Sequence, residues 1–443
     1  MRQSLLLICA IAVATALTAC SGTTEIPNSP DQSVPSISPK IADEWLASGE
    51  SVNTIFSKFQ GDAAGERTNK APLHEVRAVW ISYLDLAPIL LNKTADQFTK
   101  SIREMFDNCT SIGLTTVIVQ VRPFSDSFYP SQFFPWSEIV TGTLGEKPSF
   151  DPLEIMVTEA KNRKLKIEAW INPMRGLTPQ QVKTIDDTYP IRKWLDNPES
   201  NRKNLILFDG RLYYNPASAE VRRLIAAGAA EIAEKYDVDS IHIDDYFYPP
   251  SLPFSYDEES YHDYVKSGGS LNQAKWRQDN TSQMVFEMNA AIKAKKKDVQ
   301  FGISPRGVNS QNEEQLYIDV KKWASTPGYC DYLAPQLYYG FKHGTAAYEQ
   351  SIKEWNNLIT CDQVQLLVGL AAYKVGQRDP YGGTGKDEWV SDHDILAHQI
   401  DISRKYKHYN GMIFFRYEQI FHPTPAAKNA MEVEKANFIS LLK

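Results

Sequence analysis

Val238-Asp239-Ser240-Ile241-His242-Ile243-Asp244-Asp245-Tyr246 alternates apolar with polar side chains and ends on two adjacent carboxylates. Side chains along a strand point alternately to opposite faces, so Ile241 and Ile243 share one face and Ser240, His242 and Asp244 share the other. A strand that is oily on one side and polar at the C-terminal end of the other suits a barrel, where the outer face meets helices and the inner face lines a site. Seven further stretches have the same character: Val76–Leu84, Thr115–Arg122, Lys166–Pro173, Gln300–Gly307, Asp331–Gly340, Gln365–Lys374 and Gly411–Glu418. Between them, helical periodicity predicts helices over Ala95–Ser111, Pro152–Arg163, Ser218–Tyr236, Gln273–Lys297, Ala346–Leu358 and His393–Tyr406. Eight strands alternating with helices argue for a closed (β/α)8 TIM barrel of the α/β class, rather than an open sheet.

The same alternation predicts which side chains meet inside the barrel. With Val117, Val119 and Val121 outward, Gln120 and Arg122 point in. With Ile167, Ala169 and Ile171 outward, Glu168, Trp170 and Asn172 point in. Phe301 and Ile303 outward leave Ser304 and Arg306 inward, and the later strands offer Gln336, Tyr338, Arg416 and Glu418. Capping of loop backbone accounts for any one strand-end polar residue. It does not require Arg122, Asn172, Asp244, Arg306, Gln336 and Tyr338 to converge from several strands. The loops that follow are rich in rings: Phe124, Phe128, Tyr129, Phe133, Phe134 and Trp136 after the second strand, and Phe247, Tyr248, Phe254, Tyr256 and Tyr261 after the fourth. Such rings serve either as platforms for the CH faces of sugars or as self-packed covers.

A glycosidase uses one carboxylate as nucleophile or base and a second carboxyl as acid. Asp244, held ionised by Arg122 or Arg306, is the expected nucleophile or base. Asp245, Asp126 and Glu418 are the candidates for the acid, with Asp245 preferred; Glu168 lies lower on its strand and is expected in a buried ion pair. Other chemistries fit less well. The eight histidines contain no HExxH, and His393 and His398 are five apart, which does not place them on one helical face. Gly382-Gly383-Thr384-Gly385-Lys386-Asp387 lacks the first glycine and the hydroxyl residue of a phosphate loop, and no GxSxG is present. No metal or cofactor is expected.

Glu75-Val76-Arg77-Ala78-Val79-Trp80-Ile81, Gln120-Val121-Arg122-Pro123, Ala169-Trp170-Ile171-Asn172-Pro173-Met174-Arg175, Tyr214-Asn215-Pro216, His242-Ile243-Asp244-Asp245-Tyr246-Phe247-Tyr248-Pro249, Ile303-Ser304-Pro305-Arg306-Gly307 and Ala334-Pro335-Gln336-Leu337-Tyr338 together resemble the glycosyl-hydrolase-like family 10 proteins. The resemblance runs in order from about residue 74 to 420. It implies a TIM-barrel glycosidase, often a lipoprotein of the bacterial envelope, and relatives include a division-associated enzyme that cuts peptidoglycan strands lacking stem peptides. Carried onto this chain, it implies Asp244 as the central acidic residue, with Arg122, Asn172, Arg175, Arg306, Gln336 and Tyr338 around it as substrate-binding residues; Tyr246 is placed with them.

The N-terminus reads as a secretory signal: Met1-Arg2, an apolar run from Leu5 to Leu17, then Leu17-Thr18-Ala19-Cys20, which resembles a lipoprotein box. Residues 1–19 are expected to be removed and Cys20 lipidated. Residues 20–73, with Pro27, Pro30, Pro35 and Pro39 among polar residues, form a tether with a short helical segment, and 74–443 form the barrel. The apolar run is too short for a membrane span, so contact with the membrane is expected through the lipid alone. The remaining cysteines, Cys109, Cys330 and Cys361, are odd in number without CxxC spacing and read as buried apolar residues. A net charge of −7 gives no basic patch for nucleic acid. The expected partner is a polysaccharide, and the sequence specifies no oligomeric state. Three functions follow: an envelope glycosidase acting on peptidoglycan glycan or a related polysaccharide, a lipid-anchored sugar-binding protein without a working acid, or a glycosidase for imported dietary or host glycans. Ser21 is not the acidic residue that retains lipoproteins in an inner membrane, which favours the outer membrane or the periplasmic face.

Overall fold

The computed structural model describes residues 75–442. The expected signal segment, Cys20 and the tether lie outside the described residues. Eight parallel strands close into a barrel: β1 (Val76–Ile81), β2 (Thr116–Arg122), β3 (Lys166–Ile171), β6 (Ser240–Ile243), β7 (Gln300–Ile303), β8 (Tyr332–Leu333), β9 (Gln365–Leu370) and β10 (Tyr409–Phe414). An antiparallel hairpin, β4 (Leu205–Phe208) and β5 (Arg211–Tyr214), is inserted between β3 and β6. β1 pairs with both β2 and β10, which closes the cylinder without an edge.

The main helices are α1 (Tyr83–Leu90), α2 (Ala95–Ser111), α3 (Pro152–Asn162), α4 (Ala219–Lys235), α5 (Gln273–Lys295), α6 (Tyr348–Leu358), α7 (Ile395–Ser403) and α8 (Lys428–Leu442). The α2 sequence shows why they form. Thr94 caps its N-terminus and exchanges bonds with Gln97, satisfying two otherwise orphaned amides. Phe98, Ile102, Met105, Phe106 and Cys109 then recur at helical spacing and are buried.

Two apolar layers result. The outer one, between strands and helices, takes Val117, Val119, Ile167, Ala169, Ile171, Ile241, Ile243, Phe301 and Ile303; the inner one fills the lumen with Ala78, Trp80, Ile118, Trp170, Tyr332, Ala334, Leu367 and Ile413. This is the division that the alternation predicts, with one exception. The β2–β3 register shifts between Gln120 and Arg122, so Val121 and Arg122 face the helices in succession. Arg122 is buried behind the barrel wall with its guanidinium 4.2 Å from the Phe134 ring, and the inward placement expected for it is corrected by this bulge.

Several strands are shorter than the apolar runs. β1 ends at Ile81 because the Asp85 carboxylate accepts the Ser82 amide at 2.8 Å and starts α1. β10 ends at Phe414, and Tyr417–Phe421 is helical. Cys109, Cys330 and Cys361 are free and buried. No helix among the described residues is long and apolar enough to cross a membrane.

Candidate active site

Asp244 follows the last residue of β6 and points into the barrel, 4% exposed. Its Oδ2 accepts from Trp170 Nε1 at 3.0 Å and from Asn172 Nδ2 at 3.0 Å, and its Oδ1 from the Tyr246 amide at 3.1 Å. Asn172 is itself aimed: its Oδ1 accepts from Gln120 Nε2 at 2.7 Å, and Gln120 Oε1 accepts from the Tyr83 amide at 3.0 Å. A line of amides thus runs from the start of α1 across β2 and β3 to the carboxyl on β6. Burial, and then the charge of Asp245, raise the Asp244 pKa to about 7 against the pull of these N–H donors.

Asp245 turns toward the rim. Arg306 Nε donates to its Oδ2 at 3.2 Å and Gln336 Nε2 to its Oδ1 at 3.1 Å. Two expectations are corrected here. Arg306 pairs with Asp245, not Asp244, and Arg122 stands outside the lumen, so neither arginine is placed to hold Asp244 ionised. The two carboxyls instead have opposed surroundings: one is buried among neutral donors, the other is paired with a guanidinium.

Tyr338 sits over this pair. Its hydroxyl pKa is raised by burial, by Tyr373 and by the charges of Asp245 and Asp244, and its ring packs 5.7 Å from those of Tyr373 and Phe415. Arg175 lies with its guanidinium carbon 4.3 Å from the Tyr246 ring and 4.1 Å from the Phe124 ring. Arg416, expected inward, is tied to Asp85 at the seam between β1 and β10. Asp126 is spent on a turn, accepting the Phe124 amide at 2.9 Å, and Glu418 is about half exposed beside His422, so neither meets Asp244.

Most of the rings in the loops after β2 and β6 take the self-packed role: Phe128, Tyr129, Phe134, Trp136, Phe247 and Tyr248 are buried. Tyr246, Phe254 and Tyr256 remain exposed. The loop after β6 is held from beneath by Arg277, wholly buried, which pairs with Asp257 at 2.6 Å and donates to the Leu252 and Pro253 carbonyls.

Deeper in the lumen, Trp80 Nε1 donates to His242 Nε2 at 3.1 Å, which leaves the imidazole proton on Nδ1 facing the Tyr332 hydroxyl at 2.8 Å; that hydroxyl donates to Glu168. Burial lowers the His242 pKa to about 3 and raises that of Glu168 to about 7. Glu168 is therefore not the ion-pair member expected of it, because the histidine beside it is neutral. Gly302 makes this chain possible, since a Cβ there would lie 1.8 Å from Tyr332 Cζ.

Sequence reasoning left Trp170 out of the site, although alternation placed it inward next to Asn172. It also left out Arg211, whose signal was the Asp209-Gly210 turn: both residues have positive φ, 47° and 73°, and such a pair between apolar runs marks a hairpin. Among the described residues no three of His, Cys, Asp or Glu are grouped to hold a metal ion.

Residues 75–383 match the family model described as glycosyl hydrolase-like 10. The chain belongs to this family. Curated relatives of this glycosyl hydrolase-like chain include the glycosyl hydrolase YngK of Bacillus subtilis, 34% identical over 387 residues, covering 83% of this chain and 71% of the relative. Another is the glycosyl hydrolase DigH of Escherichia coli K12, 30% identical over 389 residues, with 80% and 86% covered. Among solved structures, the PgaB glycoside hydrolase domain from Bordetella bronchiseptica superposes with a TM-score of 0.54 at 14% identity, over 81% of this chain and 99% of that one. The catalytic domain of a β-amylase from Paenibacillus polymyxa gives 0.51 at 12% identity, over 84% and 100%. At these identities the two structures speak to the fold alone, the TIM barrel common to many glycoside hydrolases.

Proposed function

We propose that the protein is a lipid-anchored glycoside hydrolase of the bacterial envelope that cleaves peptidoglycan glycan strands or a related polysaccharide. The observation that carries the chemistry is the pair at the mouth of β6, two neighbouring carboxyls of which Asp244 is buried with a raised pKa and Asp245 accepts from Arg306 and Gln336 at the rim. Asp244, with its pKa near 7, is the member that carries a proton at neutral pH and donates it to the departing sugar oxygen. Asp245, paired with Arg306, is the carboxylate that attacks the anomeric carbon or activates water. This reverses the roles expected from strand position, because burial and not inward direction decides which carboxyl keeps its proton. Tyr246, Tyr338, Gln336 and Arg175 surround the pair and supply ring faces and donors for a sugar.

Purified peptidoglycan, intact and stripped of peptides, is the substrate to test, with products read by mass spectrometry. Wild type should release new reducing ends, and Asp244→Asn and Asp245→Asn should each lose roughly 10²–10⁴ of the rate. Binding without release by wild type would point to the sugar-binding alternative, and release only from unrelated dietary or host glycans would replace the substrate. The anchor rests on the residues around Cys20. Labelled palmitate should enter wild type and not Cys20→Ser; labelling of both would refute the anchor.

A further inference from the structure

Arg175, just after β3, and Arg211, the first residue of β5, bring two guanidinium groups to one ring. Their Cζ atoms lie 4.1 and 4.6 Å from the Phe124 centroid, closer to each other than about a Debye length, roughly 10 Å at 0.1 M salt. The placement is built. Gly176 N donates to Leu212 O at 2.9 Å, Tyr214 N to Met174 O at 2.8 Å, and Arg211 Nη1 to Gly176 O at 2.7 Å. Gly176 is needed for this approach, since a Cβ there would stand 2.8 Å from the Leu212 carbonyl oxygen.

Among the described residues, neither guanidinium has a carboxylate within ion-pair distance, whereas Arg77, Arg163, Arg222, Arg277, Arg306, Arg404 and Arg416 all do. Two half-buried like charges repel, and burial together with Arg175 lowers the Arg211 pKa. Phe124 and Tyr246 offer their ring faces, which stabilises the cations but does not neutralise them. Arg175 also lies close enough to Asp244 for its charge to act there. An anion delivered with the substrate is the group that completes this arrangement.

We propose that Arg175 and Arg211 form an anion subsite that selects glycans carrying a free carboxylate on a sugar held beside the Asp244–Asp245 pair. Two guanidinium forks match the planar carboxylate and discriminate against its neutral amide, which would leave both charges unpaired. The inference rests on the glycan reading above and adds to it the chemical class of the sugar.

The test compares peptide-stripped peptidoglycan strands with the same strands after conversion of their carboxyls to methylamides by carbodiimide coupling. Binding to the soluble chain starting after Cys20 is measured by calorimetry, and reducing-end release is measured in parallel. Wild type should prefer the acid strands by at least tenfold in Kd, with a preference that shrinks as salt rises. Arg211→Met should bind both strands alike, and Arg211→Lys should recover part of the difference. Wild type that cuts both kinds of strand equally well would overturn the inference and leave the glycosidase reading standing. Strands neither bound nor cut would remove that reading, and the inference with it. The wild-type comparison needs no variant, so a folding defect in Arg211→Met does not shield the proposal.

Discussion

Replacing Glu168 by Gln changes how stability depends on pH, by an amount that follows from its place in the lumen. The carboxyl is 5% exposed, accepts the Tyr332 hydroxyl, and has its pKa moved by burial from 4.5 to about 7. Between these values the folded chain holds a proton that the unfolded chain has released. Stability therefore falls as pH rises through this window, and at high pH the loss reaches about 3 kcal/mol. His242 acts in the opposite sense: neutral in the fold down to about pH 3, it is protonated in the unfolded chain below about 6.5, so it favours the fold as pH rises to that point. Glu168→Gln leaves the histidine contribution in place, keeps an oxygen for the Tyr332 hydroxyl and removes the carboxyl titration. The assay is thermal unfolding of both proteins from pH 5 to 8. Their difference should change by about 2–3 kcal/mol over that range, roughly 3 °C in Tm for a fold of this size, with the variant the more favoured at pH 8. Parallel Tm curves would mean that the native carboxyl is already ionised at pH 5, and the account of the lumen would be wrong.

Gly302→Ala sets a methyl group against the buried Tyr332 ring, so a loss of about 1–3 kcal/mol from overpacking is expected, and thermal unfolding should also lose the Glu168-dependent slope; a fully stable variant would show that the ring can move. Arg277→Met strands Asp257 without its partner, and about 3–5 kcal/mol should be lost, with faster hydrogen exchange across the loop after β6; unchanged exchange would show that the loop is held by other contacts. In pH–rate profiles, activity should fall as pH rises through about 7, where Asp244 gives up its proton. Asp245→Asn removes a charge that raises the Asp244 pKa, so the alkaline limb of the residual rate should move to lower pH; a limb that stays in place would take Asp244 out of the acid role.

How far the sequence could be read followed from which forces act locally. All eight barrel strands were legible because a strand between helices and a packed lumen writes its two faces into alternate residues, as Ile241 and Ile243 against His242 and Asp244 show. Arg122 was misread because a bulge changes the period by one residue, and Thr116–Arg122 carries no glycine or proline to mark it. Asp244 and Asp245 were visible as a pair, but not the raised pKa of Asp244, since that depends first on its burial by residues distant in the chain. The rings of the second and fourth βα loops left platform and self-packed cover open, because composition does not say whether a ring faces sugar or core. The short helices Pro190–Asp196 and Pro198–Asn204 are a few residues each, the first held by buried Ile191 and Trp194 against the hairpin and the second by the Asn197 cap, which leaves little periodicity to detect.

The hairpin Leu205–Tyr214 is fastened by one side and free on the other. Leu205, Ile206, Leu212 and Tyr214 are buried, whereas Leu207 is 53% exposed and the turn at Asp209-Gly210 contributes nothing to the barrel wall. Mutational drift at the tip is thus uncoupled from the folding of the cylinder, and the mouth can acquire a new preference by exchanging a short, self-contained cassette. For an engineer the same separation defines a graft: keep the four anchoring side chains, redraw residues 207 to 211, and leave the carboxyl pair untouched.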